Sequence, residues 1–181
     1  MHFEWRLLLT YRNKRYTIKK MYLLRIDDML DIYSVAFFGH RYVENAFSVS
    51  ESLQREIRQL LSEKEYVEFL VGRYGEFDTL SASAVRIAKK EYRGDNSSLV
   101  LILPYSTAEY ENNEESFFKY YDEIEICEDS QNVHYKSAIT VRNQKIAERA
   151  DCIICHIKRE NGGAYAAVVY AKKLGKRIIY I

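Results

Sequence analysis

Ser34-Val35-Ala36-Phe37-Phe38-Gly39-His40-Arg41 is the stretch that decides which fold the chain is expected to adopt. Its first five residues form a short and almost continuous apolar run that ends at a glycine, which is typical of a strand buried on both faces. Such strands occur in parallel sheets whose two faces are covered by helices. The charged residues that follow the glycine then lie at the carboxyl end of the strand, where these sheets bind ligands.

The same alternation of strand and helix patterns continues to the end of the sequence. Apolar runs predict further strands at residues 67–71, 99–103, 124–127, 152–157 and 177–181. Capping residues and apolar residues at helical spacing predict helices from Ser48, from Asp78, around 115–121, from Ser137 to 149 and from Gly162 to 174. We therefore expect an α/β fold of the Rossmann-like, doubly wound type, with a mainly parallel sheet and helices on both faces.

Length and charge divide the chain into two unequal parts. A chain of 181 residues suits one domain, which we place at residues 34–181, with residues 1–33 as a basic N-terminal arm or extension. The net charge of +1 combines a surplus of +5 in residues 1–20 (six basic, one acidic) with −4 in the rest (21 basic, 25 acidic). An acidic body argues against nucleic acid as a partner, because a nucleic-acid-binding surface has to offset phosphate charge.

Two segments have no functional assignment from the sequence. Residues 3–9 and 16–24 of the arm have the composition of a β-hairpin, but the natural chain can equally begin at Met21, so the place of residues 1–20 stays open. Residues 109–129, which we call the acidic segment, hold nine acidic side chains against Lys119 alone.

Cysteines and apolar runs indicate the compartment. The longest N-terminal apolar run is residues 7–9, far shorter than a secretory signal or a spanning helix requires, and three cysteines fit a reducing environment. We expect a cytoplasmic protein without membrane contact.

Residues 152–156 match the C-x-x-C-H pattern of haem attachment, but Cys152 and Cys155 on one strand face opposite sides. We therefore predict no metal site and no cofactor.

Glycines beside charged residues at the predicted strand ends are the strongest functional signal. Arg41 is suited to a forked contact with phosphate or carboxylate, and the glycine pair at 162–163 presents helix N–H groups to an anion. Asp78 also suits a helix cap, whereas Glu76 has no evident structural task. The strand-end loops thus predict a ligand site made of Gly39, His40, Arg41, Gly72, Gly75, Glu76, Asp78, Gly162 and Gly163.

Four landmarks in order resemble the small YpsA-like branch of the SLOG superfamily, whose Rossmann-like fold is shared by DprA and the Lonely Guy proteins. They are residues 37–41, the loop with Gly72, Gly75 and Asp78, the pairs Arg142-Asn143 and Ala150-Asp151, and the glycine-pair helix with residues 170–176. The resemblance covers about residues 34–181. It implies a small anionic, nucleotide-like ligand, adds Arg142 and Asn143 to the site, and suggests a homodimer by analogy with the superfamily.

Departures from the family pattern affect the choice of function. Ala164 lies where family members usually have Thr, and the P-G-G-x-G-T-x-x-E motif of Lonely Guy phosphoribohydrolases is incomplete. We expect binding or sensing of a nucleotide-derived ligand. The alternative is a hydrolase or transferase acting on an N-glycosidic bond, with Glu76 or Asp78 as nucleophile or base and His40 as acid. A weaker alternative is a DprA-like, DNA-associated protein that uses the arm.

Overall fold

The structure is a computed structural model that describes residues 31–131 and 133–181, and residues 32–181 form one compact unit. The predictions for the basic arm, including the hairpin, lie outside the described residues. Six strands form one sheet in the described part of the chain. They are β1 (Ile32–Gly39), β2 (Tyr66–Val71), β3 (Ser97–Leu103), β4 (Glu123–Ile126), β5 (Cys152–His156) and β6 (Arg177–Tyr180).

Helices connect consecutive strands throughout this unit. They are α1 (Ala46–Glu63), α2 (Glu76–Glu91), α3 (Ala108–Asn112), α4 (Glu114–Tyr120), α5 (Glu128–Gln131), α6 (Tyr135–Arg149) and α7 (Gly162–Lys173). No helix among residues 31–131 and 133–181 combines the length and the apolar character needed to cross a membrane.

The sheet is entirely parallel, with strand order β4-β3-β2-β1-β5-β6. From β1 the sheet grows outward through β2, β3 and β4, and the chain then returns to the other side of β1 to add β5 and β6. Gly39 of β1 pairs with His156 of β5. The loops that leave these two neighbouring strands run to opposite faces of the sheet, which opens a crevice at their carboxyl ends.

Alternating side chains of the central strand fill two separate cores. Val35 and Phe37 pack on the face covered by α1 and α2, while Ala36 and Phe38 pack on the face covered by α6 and α7. A strand buried on both faces needs a continuous apolar run, because every second residue serves each core. The expected doubly wound α/β architecture is confirmed.

The two cysteines of β5 face opposite cores, as predicted. Cys152 belongs to the core under α1 and α2, whereas Cys155 belongs to the core under α6 and α7. Burial raises the pKa of Cys155 to about 12, which keeps this thiol protonated and unreactive. Both side chains therefore act as small apolar residues.

The predicted helix caps were wrong by half a turn. Helices α1, α2 and α6 each begin two residues before the predicted caps, which were Ser48, Asp78 and Ser137 respectively. Asn45, in the left-handed conformation with φ of 56°, turns the chain into α1 instead. In α2 the Asp78 carboxylate reaches back from inside the first turn and accepts a hydrogen bond from the Gly75 N–H at 3.2 Å.

The acidic segment is held by basic side chains from elsewhere in the fold. Four of its nine carboxylates pair with bases outside the segment, and these bases come from the loop after β2, from α2 and from α6. The pairs are Glu109 with Arg73, Asp122 with Lys89, Glu125 with Arg149, and Asp129 with Lys145. Four of the nine negative charges in this stretch therefore have a structural explanation.

Candidate functional site

A cavity of about 360 Å³ opens at the carboxyl ends of β1, β2 and β5, and we call it the switch-point cleft. It lies where the direction of sheet growth reverses, which is the usual ligand position in open α/β sheets. The loops after the three strands and one side of α6 form its walls. Nine predicted site residues line the cleft, namely Gly39, His40, Arg41, Gly75, Asp78, Arg142, Asn143, Gly162 and Gly163.

Arg142 brings a buried positive charge to the cleft. Only 4% of this residue is exposed, and its Nε atom has no hydrogen-bond partner among the described residues. Burial lowers the pKa of the guanidinium, while nearby Asp78 and Tyr74 act in the opposite direction. A buried donor without a partner costs about 1–3 kcal/mol, and a ligand oxygen can remove that cost. Phosphate and carboxylate oxygens are the acceptors that best fit a guanidinium.

Asp78 is a partly buried carboxyl group near this arginine. Burial raises its pKa, although Arg142 and the N–H groups of Gly75 and Tyr74 oppose the rise. A Cβ atom on Gly72 would lie 2.4 Å from Arg142 Nη1 and 3.0 Å from Asp78 Oδ2. Gly72 thus makes room for both charged groups, even though it does not itself line the cleft.

Glu76 also lies outside the lining. Its Oε2 atom accepts a hydrogen bond from the Val43 N–H at 2.9 Å, and its own N–H donates to the Arg41 carbonyl at 2.9 Å. These two bonds fasten the loop after β1 to the start of α2. Glu76 therefore has the structural task that the sequence does not reveal.

His40 joins the loops after β1 and β5. The residue is 9% exposed, and its Nε2 atom accepts a hydrogen bond from the Arg159 N–H at 3.1 Å. Burial, together with the electrostatic influence of nearby Arg159 and His156, lowers the pKa of His40. The neutral ring then carries its proton on Nδ1 and has none on Nε2. In this arrangement His40 fixes the shape of the cleft and offers no Nε2 proton to a leaving group.

The N-terminus of α7 forms another part of the cleft wall. Gly162 has φ of 85°, a left-handed conformation that glycine adopts without strain, and Asn161 makes no side-chain capping bond. The first turn contains no acidic residue. The Asn143 Nδ2 atom lies 4.0 Å from the position that a Cβ atom on Gly163 would take. Backbone N–H groups and a side-chain amide therefore converge where an anion is favoured.

The cleft contains lining residues that the sequence analysis did not select. Arg159 and Asn161 belong to the loop before Gly162, so their position beside a recognised glycine was the available signal. Tyr42 and Tyr74 also line the cleft, beside Arg41 and Gly75. The remaining three, which carry no polar side chain, are Phe38, Ile139 and Ala164.

The cleft is positively charged. Arg41, Arg142 and Arg159 line it, and Asp78 is its one lining carboxyl group among the described residues. None of the three arginines forms an ion pair with a described carboxylate. No group of three His, Cys, Asp or Glu side chains within residues 31–131 and 133–181 is arranged to hold a metal ion.

Solved structures similar to this chain include two DNA processing proteins. DprA from Streptococcus pneumoniae matches with a TM-score of 0.59 and 17% identity over 84% of this chain and 51% of that protein. DprA from Helicobacter pylori, which is described as binding single-stranded DNA, matches with a TM-score of 0.56 and 14% identity. That match covers 82% of this chain and 64% of that protein. The chain thus spans about half the length of the first protein. No family model matches the sequence, and no curated protein does so either.

A third similar structure is the molybdenum cofactor carrier protein of Chlamydomonas reinhardtii. It matches with a TM-score of 0.50 and 12% identity over 82% of this chain and 75% of that protein. Identities this low show the fold alone. The Rossmann-like, DprA-type fold that the sequence resemblance implied is therefore confirmed.

Proposed function

We propose that the chain binds a small phosphorylated, nucleotide-like ligand in the switch-point cleft. The observation that carries the proposal is Arg142, a buried guanidinium whose Nε atom has no partner among the described residues and which lines the cleft. The N-terminus of α7 supplies N–H groups to the same cleft, and the exposed Arg41 and Arg159 add positive charge. Phosphate oxygens are the acceptors that best suit a guanidinium and the N–H groups of a helix N-terminus.

The size of the cleft and its aromatic residues support a ligand larger than phosphate. Its volume of about 360 Å³ falls in the range of ~300–1,000 Å³ that is usual for small-molecule sites. The Tyr74 ring lies 6.0 Å from the Arg142 guanidinium, and Tyr42 is 76% exposed at the rim. Either ring offers a flat surface on which a base can stack.

The order of the four sequence landmarks supports a place for the chain in the YpsA-like branch of SLOG proteins, which implies a homodimer. The three free cysteines, Cys127, Cys152 and Cys155, fit a cytoplasmic location. These assignments are part of the proposal and rest on the resemblance and on residue chemistry.

Calorimetric titration tests the proposed site. The protein is titrated with AMP, NAD, ribose 5-phosphate and a single-stranded oligonucleotide, the last because the similar Helicobacter pylori protein binds single-stranded DNA. We expect saturable binding of a mononucleotide or dinucleotide that Arg142→Gln weakens about a hundredfold and Arg149→Gln retains. Arg149 is the matched control, because it lies on the same helix but pairs with Glu68 and Glu125. Oligonucleotide binding unaffected by Arg142→Gln, with no nucleotide binding, would contradict the proposal.

Cleavage of an N-glycosidic bond is the second candidate, and the position of Asp78 favours it. Asp78 lines the cleft with a raised pKa, which suits a carboxyl group that donates or accepts a proton, whereas Glu76 is engaged with Val43. Incubation with nucleoside monophosphates, followed by chromatography for the free base, tests this function. Release of base that Asp78→Asn abolishes and Glu76→Gln preserves would establish turnover. Binding without product would exclude it for the nucleotides tried.

A further inference from the structure

A second cavity lies beside the acidic segment and shares no lining residue with the switch-point cleft. Its volume is about 430 Å³, which is larger than that of the cleft. Its walls are formed by Arg73 in the loop after β2, by Thr79 on α2, and by residues of the segment 109–121, which contains α3 and α4. We call it the aromatic cavity. The function proposed for the cleft makes no use of it.

Three neighbouring aromatic residues line the aromatic cavity. Phe117 and Tyr121 are 5% and 6% exposed, and Tyr120 is partly buried. The ring centroids of Tyr120 and Tyr121 lie 4.8 Å apart, and those of Phe117 and Tyr121 lie 6.3 Å apart. The three rings are held in place because they pack on one another and on the core. They give the cavity a rigid and largely apolar wall against which a flat ligand can stack.

The two charged groups that line the aromatic cavity among the described residues neutralise each other. Arg73 pairs with Glu109, and its guanidinium carbon lies 4.3 Å from the centre of the Phe117 ring. The hydrogen bond from Arg73 lowers the pKa of Glu109, so both groups stay ionised at neutral pH. Helices α3 and α4 together contain four carboxylates and one lysine. The cavity therefore has no surplus positive charge, unlike the cleft around Arg142, and its surroundings oppose an anion.

Uncharged polar groups with unused hydrogen-bonding capacity complete the lining. The Asn113 Nδ2 atom donates to the Glu109 carbonyl at 2.9 Å, whereas its Oδ1 atom accepts no hydrogen bond from the described residues. The hydroxyl groups of Ser116 and Tyr120 also form no hydrogen bond within the described part of the chain. These residues thus offer an amide acceptor and two hydroxyls that can both donate and accept.

We propose that the aromatic cavity is a separate site for an uncharged nucleoside or nucleobase. The flat base stacks on the aromatic wall, and the donors and acceptors at its edge bind Asn113 and the hydroxyls of Ser116 and Tyr120. A cavity of about 430 Å³ falls in the usual range of ~300–1,000 Å³ for small-molecule sites, which leaves room for a ribose. Its balanced charge disfavours a phosphate group. The site does not depend on the function proposed for the switch-point cleft.

Calorimetric titration of the Arg142→Gln protein with adenosine tests the proposal, because binding in the cleft is weakened in this variant. We expect saturable binding that Ser116→Trp weakens about tenfold or more, since the large ring fills the cavity. Thr79→Trp fills the cavity from α2 and should give the same loss. Both positions are exposed, so neither change should prevent folding. Glu115→Trp is the matched control, because it adds the same ring at an exposed position of α4 outside the lining, and it should leave the affinity unchanged.

AMP and indole serve as comparison ligands in the same variant. AMP should bind the aromatic cavity about tenfold more weakly than adenosine, because the surrounding carboxylates repel its phosphate. In the unmodified protein, AMP binding in the cleft should not respond to Ser116→Trp, which keeps the two sites distinguishable. Indole that binds as tightly as adenosine would overturn the assignment to a nucleoside. Failure of adenosine to bind, or binding that neither Ser116→Trp nor Thr79→Trp weakens, would overturn the site itself.

Discussion

The switch-point cleft and the acidic segment differ in where the partners of their charges come from. In the acidic segment, carboxylates such as Glu109 and Glu125 pair with bases brought by neighbouring elements. In the cleft, three arginines converge without a paired carboxylate among the described residues. A group of like charges that the fold itself neutralises is structural, whereas one that it leaves unpaired indicates a charged ligand.

Helix α6 contains one arginine of each kind. Arg149, at its carboxyl end, pairs with Glu68 and Glu125 and ties β2 to β4. Arg142, two turns earlier, lines the cleft with its Nε atom unpartnered. The comparison predicts that the first serves stability and the second serves binding, and the following substitutions test that division.

The largest effect is expected for ligand affinity in Arg142→Gln. Loss of a charge-assisted contact of about 3 kcal/mol weakens binding of a phosphorylated ligand about a hundredfold. Stability should change little, because the substitution removes a buried charge together with its unsatisfied donor. Calorimetric titration and thermal unfolding measure the two effects. A large loss of stability without loss of affinity would show that the two arginines do not differ in role.

Arg149→Gln should give the opposite result. Its removal leaves the mostly buried Glu68 carboxylate with the Ser34 hydroxyl at 3.0 Å and no cation, so we expect a loss of about 1–2 kcal/mol, reduced by the partial exposure of Arg149. Urea unfolding measures the change. Ligand affinity should stay within twofold of that of the unmodified protein. A tenfold loss of affinity would show that Arg149 and Arg142 do not differ in role.

Gly72→Ala tests the role of Arg142 in binding without changing the arginine itself. The new methyl group overlaps the Arg142 Nη1 atom at 2.4 Å and must displace the guanidinium, so affinity should fall about tenfold. Gly175→Ala is the control, because its φ of 72° makes a side chain strained while nothing lies within 4 Å. It should cost about 1 kcal/mol of stability and leave ligand binding unchanged. Equal affinities in the two variants would argue against the guanidinium as the binding group.

Asp78→Asn should strengthen binding about threefold at pH 7, because it removes the negative charge closest to Arg142. Burial raises the pKa of Asp78, so protonation of the natural side chain removes the same charge as pH falls through that raised value. The gain from the substitution should therefore shrink toward low pH. Titrations at several pH values measure it, and a gain that grows on acidification would contradict this role for the carboxylate.

The smallest effect is expected for an exposed pair within the acidic segment. Lys119 and Glu115 lie 2.7 Å apart, but both side chains are largely exposed to solvent. Lys119→Ala should therefore change stability by less than about 0.5 kcal/mol and leave ligand affinity as it is. A change above about 1 kcal/mol in urea unfolding would show that this region depends on more than its buried and tertiary pairs.

Sequence reasoning recovered the sheet and most of the cleft for the same physical reason. An apolar run such as residues 34–38 is a local pattern, and parallel strands place their carboxyl ends together whatever lies between them. Recognition of Arg142 and Asn143, which lie within a helix, required the family resemblance. Their approach to the cleft depends on how α6 packs on the sheet.

The details that escaped prediction are long-range. The bond between Glu76 and the Val43 N–H joins residues 33 positions apart, and the ion pair of Arg149 with Glu68 spans 81. In neither case does the sequence around one residue indicate which distant residue it contacts. Asn45, which starts α1 in a left-handed conformation, replaced the side-chain cap that the serine pattern suggested. Local patterns thus determine the type of an element but place its ends only to within one or two residues.

Gly39 has a consequence for how relatives of this protein can be recognised. A Cβ atom at this position would lie 2.2 Å from Phe77, so the glycine is required by the close approach of α2 whether or not a ligand is bound. A search that weights this glycine would retrieve chains that share the helix packing, including ones that have lost the binding chemistry. Arg142 and the residues around it would be the better markers for tracing a shared ligand through divergent genomes.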